Sequence, residues 1–358
     1  MRALILAGGT GTRLRPFTHS TPKQLMPVAN RPVLVHCLDN VRRAGMTEAG
    51  IVVSTGRSGE QIRAALGDGE AFGMRLTYIP QEAPLGLAHC VAIARPFLGD
   101  EDFVLYLGDN MLPDGIAGAI AGFAARKPDA GVLVTKVADP RQFGVVEFDG
   151  DGNVVNLVEK PQRPNSALAL IGVYFFTARI HASVHRIRPS GRGELEIADA
   201  IVDLLRTGGT VVAEEYGGYW KDTGTVEDLL ACNRTLLDGM PADVGGYLDR
   251  HSRISGAVVV ERGASIIRSR LTGPAIIGAG AVITDSRIGP YTAVGGGCRI
   301  SGADIADSIV LADAKIHAVP GIRDSLIGRS ADLRVAAARS GHRLLVGDHA
   351  RVEVAAAS

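Results

Sequence analysis

The last hundred residues carry a spacing that few folds can satisfy. Ile254, Val260, Ile266, Leu271, Ile277, Ile283, Ile288, Val294, Ile300, Ile305 and Leu311 recur every five or six positions, and every third one falls 17 residues further on, as in Ile254, Leu271, Ile288 and Ile305. A helix repeats at about 3.6 residues and a strand at about 2, so neither alone produces this period. Short strands that each bury one aliphatic side chain and then turn a corner do produce it. Small residues stand near the expected corners, as in Ile277-Gly278-Ala279-Gly280-Ala281-Val282. The pattern predicts a parallel β-helix of hexapeptide repeats over residues 253–358, continuing less regularly through Ile316, Ile322, Ile327 and Leu333.

The first two-thirds has a different rhythm. Ala3 to Leu6 is a continuous apolar run, as a strand buried on both faces requires. A helix is expected from Pro32, with Leu34, Cys37, Leu38 and Val41 on one stripe and Gly45 as its stop. A strand over Ile51–Ser54, a helix capped by Ser58, a strand over Leu76–Ile79, a helix over Gly86–Ala94 and a strand over Phe103–Leu107 follow. The alternation predicts a doubly wound α/β sheet. Val145–Phe148 and Val154–Val158 flank the turn sequence Asp149-Gly150-Asp151-Gly152, so the sheet is expected to be mixed. A helix over Val226–Leu237 closes a domain of residues 1–240, and the Gly- and Pro-containing stretch 239–252 reads as a linker.

The chain of 358 residues has the length of about two domains. Lys plus Arg balance Asp plus Glu at 38 each, which argues against a nucleic-acid partner. Cys37, Cys90, Cys232 and Cys298 stand far apart and form neither a disulfide nor a zinc pattern. The opening run Ala3–Ala7 is too short for a secretory leader, and no apolar stretch approaches the ~18 residues of a membrane helix. A cytoplasmic protein without a membrane partner is expected.

Directly after the first strand comes Gly8-Gly9-Thr10-Gly11-Thr12-Arg13-Leu14. Glycines allow several backbone N–H groups to converge on an anion, and Arg13 adds a planar fork for phosphate. The string is not a Walker loop, since no Gly-Lys-Ser/Thr follows, and a dinucleotide fingerprint from Gly9 would need glycine where Leu14 stands. Lys23 follows in the stiff loop Pro22-Lys23-Gln24-Leu25-Met26-Pro27. Together these two strings resemble the signature of the sugar-1-phosphate nucleotidyltransferases. The Lys23-Gln24-Leu25 form is most similar to their glucose-1-phosphate thymidylyltransferase branch, and the β-helix tail to its long form, for which the left-handed hand is expected. The resemblance covers about the first 240 residues.

The resemblance implies transfer of a thymidylyl group from dTTP to glucose 1-phosphate, with UTP or another hexose 1-phosphate as the alternative. It implies Arg13 and Lys23 at the reacting phosphates, and Gly8, Gly9, Gly11, Thr12, Gln81 and Gly86 around the nucleotide. It implies Mg²⁺ held by Asp109, which ends the strand Phe103–Leu107 in Gly108-Asp109-Asn110, and by Asp222 in Trp220-Lys221-Asp222-Thr223-Gly224-Thr225. Asn110, Gly144, Glu159, Lys160 and Tyr174 are expected around the sugar phosphate. The family often has Asp before the base-contacting glycine, where this chain has Leu85. Gly193-Glu194-Leu195-Glu196-Ile197 matches a further family string with a supporting role.

Two rival readings were weighed. Asp222-Thr223-Gly224-Thr225 matches an aspartic-protease string, but that chemistry needs two such aspartates, and this chain has one copy. A hexapeptide β-helix can be an acetyltransferase with a histidine base, for which His317, His342 and His349 are the available residues. Assembly of subunits into a homo-oligomer is the preferred role for the tail, because the end of a β-helix requires covering.

Overall fold

Residues 1–335 and 349–353 are described in the computed structural model of the protein. The chain divides into two compact units: Met1–Thr10 with Val33–Asp222, and Gly11–Pro32 with Thr223–Ser358.

Among the described residues, nine strands form the main sheet of the first unit: β1 Arg2–Ala7, β2 Glu48–Ser54, β3 Arg75–Gln81, β4 Phe103–Leu107, β5 Ala130–Lys136, β6 Gly144–Phe148, β7 Val154–Glu159, β8 Leu168–Phe176 and β9 Val211–Glu215. The order is β7-β6-β8-β4-β1-β2-β3, with β5 also on β8 and β9 on β5. β1 runs parallel to β2 and β4, β2 to β3, and β5 to β9; β8 runs antiparallel to β4, β5 and β6. The sheet is therefore mixed, as expected. β1, in the middle, is buried from Ala3 onward, whereas β3, at one end of the order, alternates exposed and buried side chains. That contrast is what coverage on two faces against partial coverage produces. β6 and β7 form the expected hairpin, whose turn Asp149 stabilises by accepting the backbone N–H of Asp151 (3.0 Å) and Asn153 (2.8 Å).

The helices that matter below are α1 Val33–Arg43, α2 Arg57–Leu66, α3 Leu87–Ile93, α4 Ala117–Arg126, α5 Ile180–Arg186, α6 Ile197–Arg206 and α7 Val226–Asp238. α1 buries Leu34, Cys37, Leu38 and Val41, the stripe read from the sequence. α2 starts two residues earlier than expected: Gly56, not Ser58, is its N-cap. A short antiparallel ribbon, Asn110–Met111 with Lys221–Asp222, stands apart from the main sheet. Among the described residues no helix is long and apolar enough to cross a membrane, and all four cysteines are buried and reduced.

In the second unit three parallel sheets stack into a three-sided left-handed β-helix. Ile254 pairs with Leu271, Leu271 with Ile288, Ile288 with Ile305, and Ile305 bridges to Ile322. The repeat is therefore a stack of equivalent side chains, one per coil, and these residues line the interior. A second stack was not anticipated. The hydroxyls of Ser252, Ser269 and Ser286 accept the backbone N–H of Ser269 (3.0 Å), Ser286 (3.1 Å) and Ala303 (3.1 Å), which satisfies amides inside the corner. The stretch expected as a linker already belongs to the coil: Asp243–Val244 and Tyr247–Leu248 pair in parallel with Val259–Val260 and Ser265–Ile266.

Candidate active site

The first unit gathers most of the expected site residues at the carboxyl ends of its strands. Gly8 and Gly9 follow β1 directly. Gln81 is the last residue of β3 and is 8% exposed; its Oε1 faces Gly8, where a Cβ would lie 3.5 Å away. Its Nε2 lies 3.1 Å from Nδ1 of His89 on α3. Gly86 precedes α3, between two backbone bonds that tie this turn to the Gly193–Glu196 string: Leu195 donates to Leu85 O (2.8 Å) and Ala88 donates to Leu195 O (3.0 Å). The supporting role expected of that string is thus a backbone clamp on the start of α3.

The ribbon sets the backbone of Asp222 beside that of Asp109. Asp222 is the register partner of Asn110, so it sits diagonally across from Asp109. Asn110 is 5% exposed, and its carboxamide donates to Asp109 Oδ1 (2.9 Å) and accepts from Trp220 Nε1 (2.7 Å). Asn110 thus links Asp109 to Trp220. The Asp109 charge, after burial, also pushes the Cys37 thiol far above its ordinary pKa, so that cysteine is a packing residue. Two carboxylates fit a hard cation such as Mg²⁺, which takes one or two protein carboxylates and fills its sphere with water and phosphate oxygens.

Trp220 meets Phe143 edge-on, with ring centroids 5.4 Å apart at 69°. The next residue, Gly144, pairs with Glu159 across the β6–β7 hairpin. A Cβ on Gly144 would lie 3.0 Å from Glu159 Oε2 and 2.6 Å from Leu170 Cδ1, so a side chain here would require those two tips to shift. Burial pushes the Glu159 carboxyl above the usual range, opposed by Lys160 and Arg192. Lys160 Nζ lies 3.7 Å and Arg192 3.4 Å from Glu159 Oε1. Tyr174, 4% exposed, stacks on Phe176 with centroids 6.1 Å apart, and burial together with the Glu159 charge raises its phenol pKa. It supports this corner from the core.

Several members of the cluster were not assigned from sequence. Trp220 stood beside Asp222 without a role, and Gly172 had none; a Cβ on Gly172 would run into the Asn110 side chain at 2.8 Å. Arg192 was missed, and Glu196 had only the general supporting role of its string. Arg192 donates from Nε (3.2 Å) and from the guanidinium tip (2.8 Å) to Glu196, which also accepts the Ser190 hydroxyl (2.8 Å). An arginine flanked by two glycines, four residues before a glutamate, was the available signal.

The second unit holds Gly11, Thr12, Arg13 and Lys23. Thr12–Leu14 is a 3₁₀ turn started by Gly11, whose carbonyl accepts from Leu14 N (3.0 Å) and from the Thr18 hydroxyl (2.7 Å). Leu14 is buried and anchors the turn. Lys23 opens a second 3₁₀ turn after Pro22. The Arg13 guanidinium lies against Gly224: a Cβ there would be 2.5 Å from one of its terminal nitrogens. Thr225 caps α7, accepting the Asp228 N–H (3.2 Å) and donating to the Asp228 carboxylate (2.8 Å). The Thr-Gly-Thr that suggested a protease is therefore a buried threonine, a place for Arg13 and a helix cap. α7 is fixed on the coil: Asn233 accepts from Ala29 N (3.0 Å) and donates to Tyr291 O (2.9 Å), and Arg234 pairs with Asp307 and Asp324. His317 is exposed, with Nδ1 2.7 Å from the Ser301 hydroxyl, His349 meets the His19 ring at 5.4 Å, and His342 lies outside the described residues.

A mixed sheet with a glycine bend after its first strand, acids at and next to a short ribbon, and a three-sided coil in the second unit define a nucleotide-transfer enzyme. The chain belongs to the nucleotidyl transferase family, whose profile matches residues 2–239. It is 50% identical over 99% of both chains to a glucose-1-phosphate thymidylyltransferase of Streptomyces antibioticus. A nucleotidyltransferase of low-salt glycan biosynthesis from Haloferax volcanii is 41% identical over 99% of this chain and all of its own. Among solved structures, a Bacillus anthracis chain assigned to glucose-1-phosphate thymidylyltransferase and solved with sucrose is 32% identical; the match covers 68% of this chain and 97% of that one, with a TM-score of 0.62.

Proposed function

We propose that the protein transfers a thymidylyl group from dTTP to α-D-glucose 1-phosphate, giving dTDP-glucose and pyrophosphate. The 50% identity over 99% of both chains to a relative named for that activity carries the reading. The grouping of Asp109, Asp222, Gly144, Glu159 and Lys160 in one unit supports it.

Near neutrality the sugar phosphate is already a nucleophile, because a phosphate monoester has its second pKa near about 6. One of its oxygens attacks the α-phosphorus in line, the bond to the β-phosphate breaks, and pyrophosphate leaves with the electron pair. No side chain has to remove a proton. Catalysis then rests on holding two anions in place and neutralising charge on the leaving group. Arg13 and Lys23 serve the triphosphate, with the N–H groups of Gly8, Gly9, Gly11 and Thr12 around it. Gln81 meets the base, beside Gly86. Lys160 faces the sugar phosphate and Glu159 accepts from hydroxyls of the hexose. Asp109 and Asp222 would hold Mg²⁺, which would supply charge neutralisation at the phosphates.

The proposed catalytic domain is 1–240 and the proposed coil domain 253–358, in a cytoplasmic homo-oligomer whose coil serves assembly. Mass spectrometry of products from dTTP and UTP, each offered with glucose 1-phosphate, galactose 1-phosphate or glucosamine 1-phosphate, tests the reading. dTDP-glucose is expected as the fastest-formed product. A different nucleotide sugar formed at higher kcat/KM refutes the substrate assignment.

A further inference from the structure

We propose that His89 fixes which way the Gln81 carboxamide faces, and thereby selects thymine and uracil triphosphates over cytosine triphosphates. The inference rests on the reading of Gln81 as the residue that meets the base.

A carboxamide offers an acceptor on one side and a donor on the other, and half a turn about its last bond exchanges them. The edge of thymine or uracil presents N3–H and a carbonyl at C4, so it requires the acceptor opposite N3 and the donor opposite C4. Cytosine presents a bare N3 and an amino group, and requires the reverse. A carboxamide free to turn suits both bases; one that is held suits only one.

The structure supplies a holder. Gln81 Nε2 lies 3.1 Å from His89 Nδ1, while Oε1 is turned to the glycine bend after β1. A neutral imidazole with its proton on Nε2 has an acceptor at Nδ1. It takes one of the two Gln81 Nε2 hydrogens, the carboxamide N–H also meets the Cys90 thiol, and Oε1 is left to accept from N3–H of the base. This tautomer is part of the proposal: with the proton on Nε2, the opposite rotamer would put Oε1 against the Nδ1 lone pair, acceptor against acceptor. His89 is itself anchored, because it sits in the first turn of α3, directly after the Leu195 backbone clamp on Leu85 and Ala88. Burial of Gln81 at 8% exposure strengthens the preference, since water cannot readily replace a lost partner.

The test is the ratio of kcat/KM for dTTP to that for dCTP, measured with glucose 1-phosphate on the full-length chain. The wild type is expected to favour dTTP strongly. H89L removes the acceptor at a half-buried position. It is expected to lower the ratio at least tenfold, by raising KM for dTTP and lowering it for dCTP while kcat for dTTP stays within about threefold. H89N, whose side-chain oxygen can stand near the place of Nδ1, is expected to recover most of the lost selectivity. A thermal melt checks the fold, and if H89L does not fold, H89A carries the same expectation. An unchanged ratio, or an equal loss for both nucleotides, overturns the inference. A wild type that uses neither nucleotide with glucose 1-phosphate is a distinguishable failure: it removes the proposed function, and this inference with it.

Discussion

In the coil, a buried aliphatic side chain meets its own equivalent from the next turn, as Leu271 meets Ile288. In the sheet unit, Ile5 is flanked by Ile51 on one side and Tyr106 on the other, and the strand order jumps from β1 to β4 and on to β8. The two regions bury apolar side chains with equal thoroughness, but the coil does so through neighbours in sequence and the sheet through residues far apart. A stack of near-identical coils gains stability by adding interfaces. A sheet of distant partners gains the ability to bring unlike residues to one edge, and the acids, the aromatic pair and the Glu159 corner all lie in that unit. The coil is accordingly expected to carry stability and the sheet unit and its glycine loop to carry chemistry.

Substitutions can break this division. Asp222→Asn is expected to lower turnover by about a thousandfold with an unchanged melting temperature; retained Mg²⁺-dependent turnover would remove Asp222 from the metal site. Lys23→Ala is expected to lower kcat by about a hundredfold, the usual cost of one charge-stabilising contact, again without a change in the melt. Near-normal turnover would place Lys23 outside the mechanism. Ile283→Ala, in the coil interior at 0% exposure, is expected to cost ~2–5 kcal/mol in denaturant unfolding while kcat below the transition is kept. A loss of kcat without a loss of stability there would contradict the division.

A smaller effect sharpens it from the sheet side. His181 on α5 is 7% exposed and stacks on Phe103 with centroids 5.7 Å apart. Burial, with Arg95 and His185 adding to it, holds its pKa down to about 4 from 6.5. Because the folded pKa is depressed, protonation favours the unfolded chain. The contribution is complete above about 6.5 and is lost as pH falls through about 4, a difference of roughly 3 kcal/mol at most. His181→Leu should flatten stability against pH between those values, and an unchanged slope would show that another group titrates.

What was legible in the sequence follows the same contrast. The coil was readable because its partners are one period apart, although the serine stack Ser252, Ser269 and Ser286 was overlooked for want of an apolar signal. The opening of the coil at Asp243 and Tyr247 was missed because Gly245 and Gly246 made it look like a linker. In the sheet unit six of the nine described strands and the Asp149–Gly152 turn were readable one by one; β5, β8 and β9 were not read, nor was the strand order, since no local period encodes which strand lies beside which. Site residues were assigned on recognisable strings, whereas Arg192 lies outside them and depends on a fold that carries its loop to Glu159 and Glu196. The sequence reading of Asn110 reached only as far as the sugar phosphate; that its carboxamide also links Trp220 to Asp109 emerges from the packing alone.

The central claim is tested most directly by pyrophosphate release from the purified chain, with dTTP, glucose 1-phosphate and Mg²⁺ each omitted in turn. The account predicts stoichiometric release with all three and none above background when any one is missing. Release that persists without glucose 1-phosphate, or no release with the complete mixture, would contradict it.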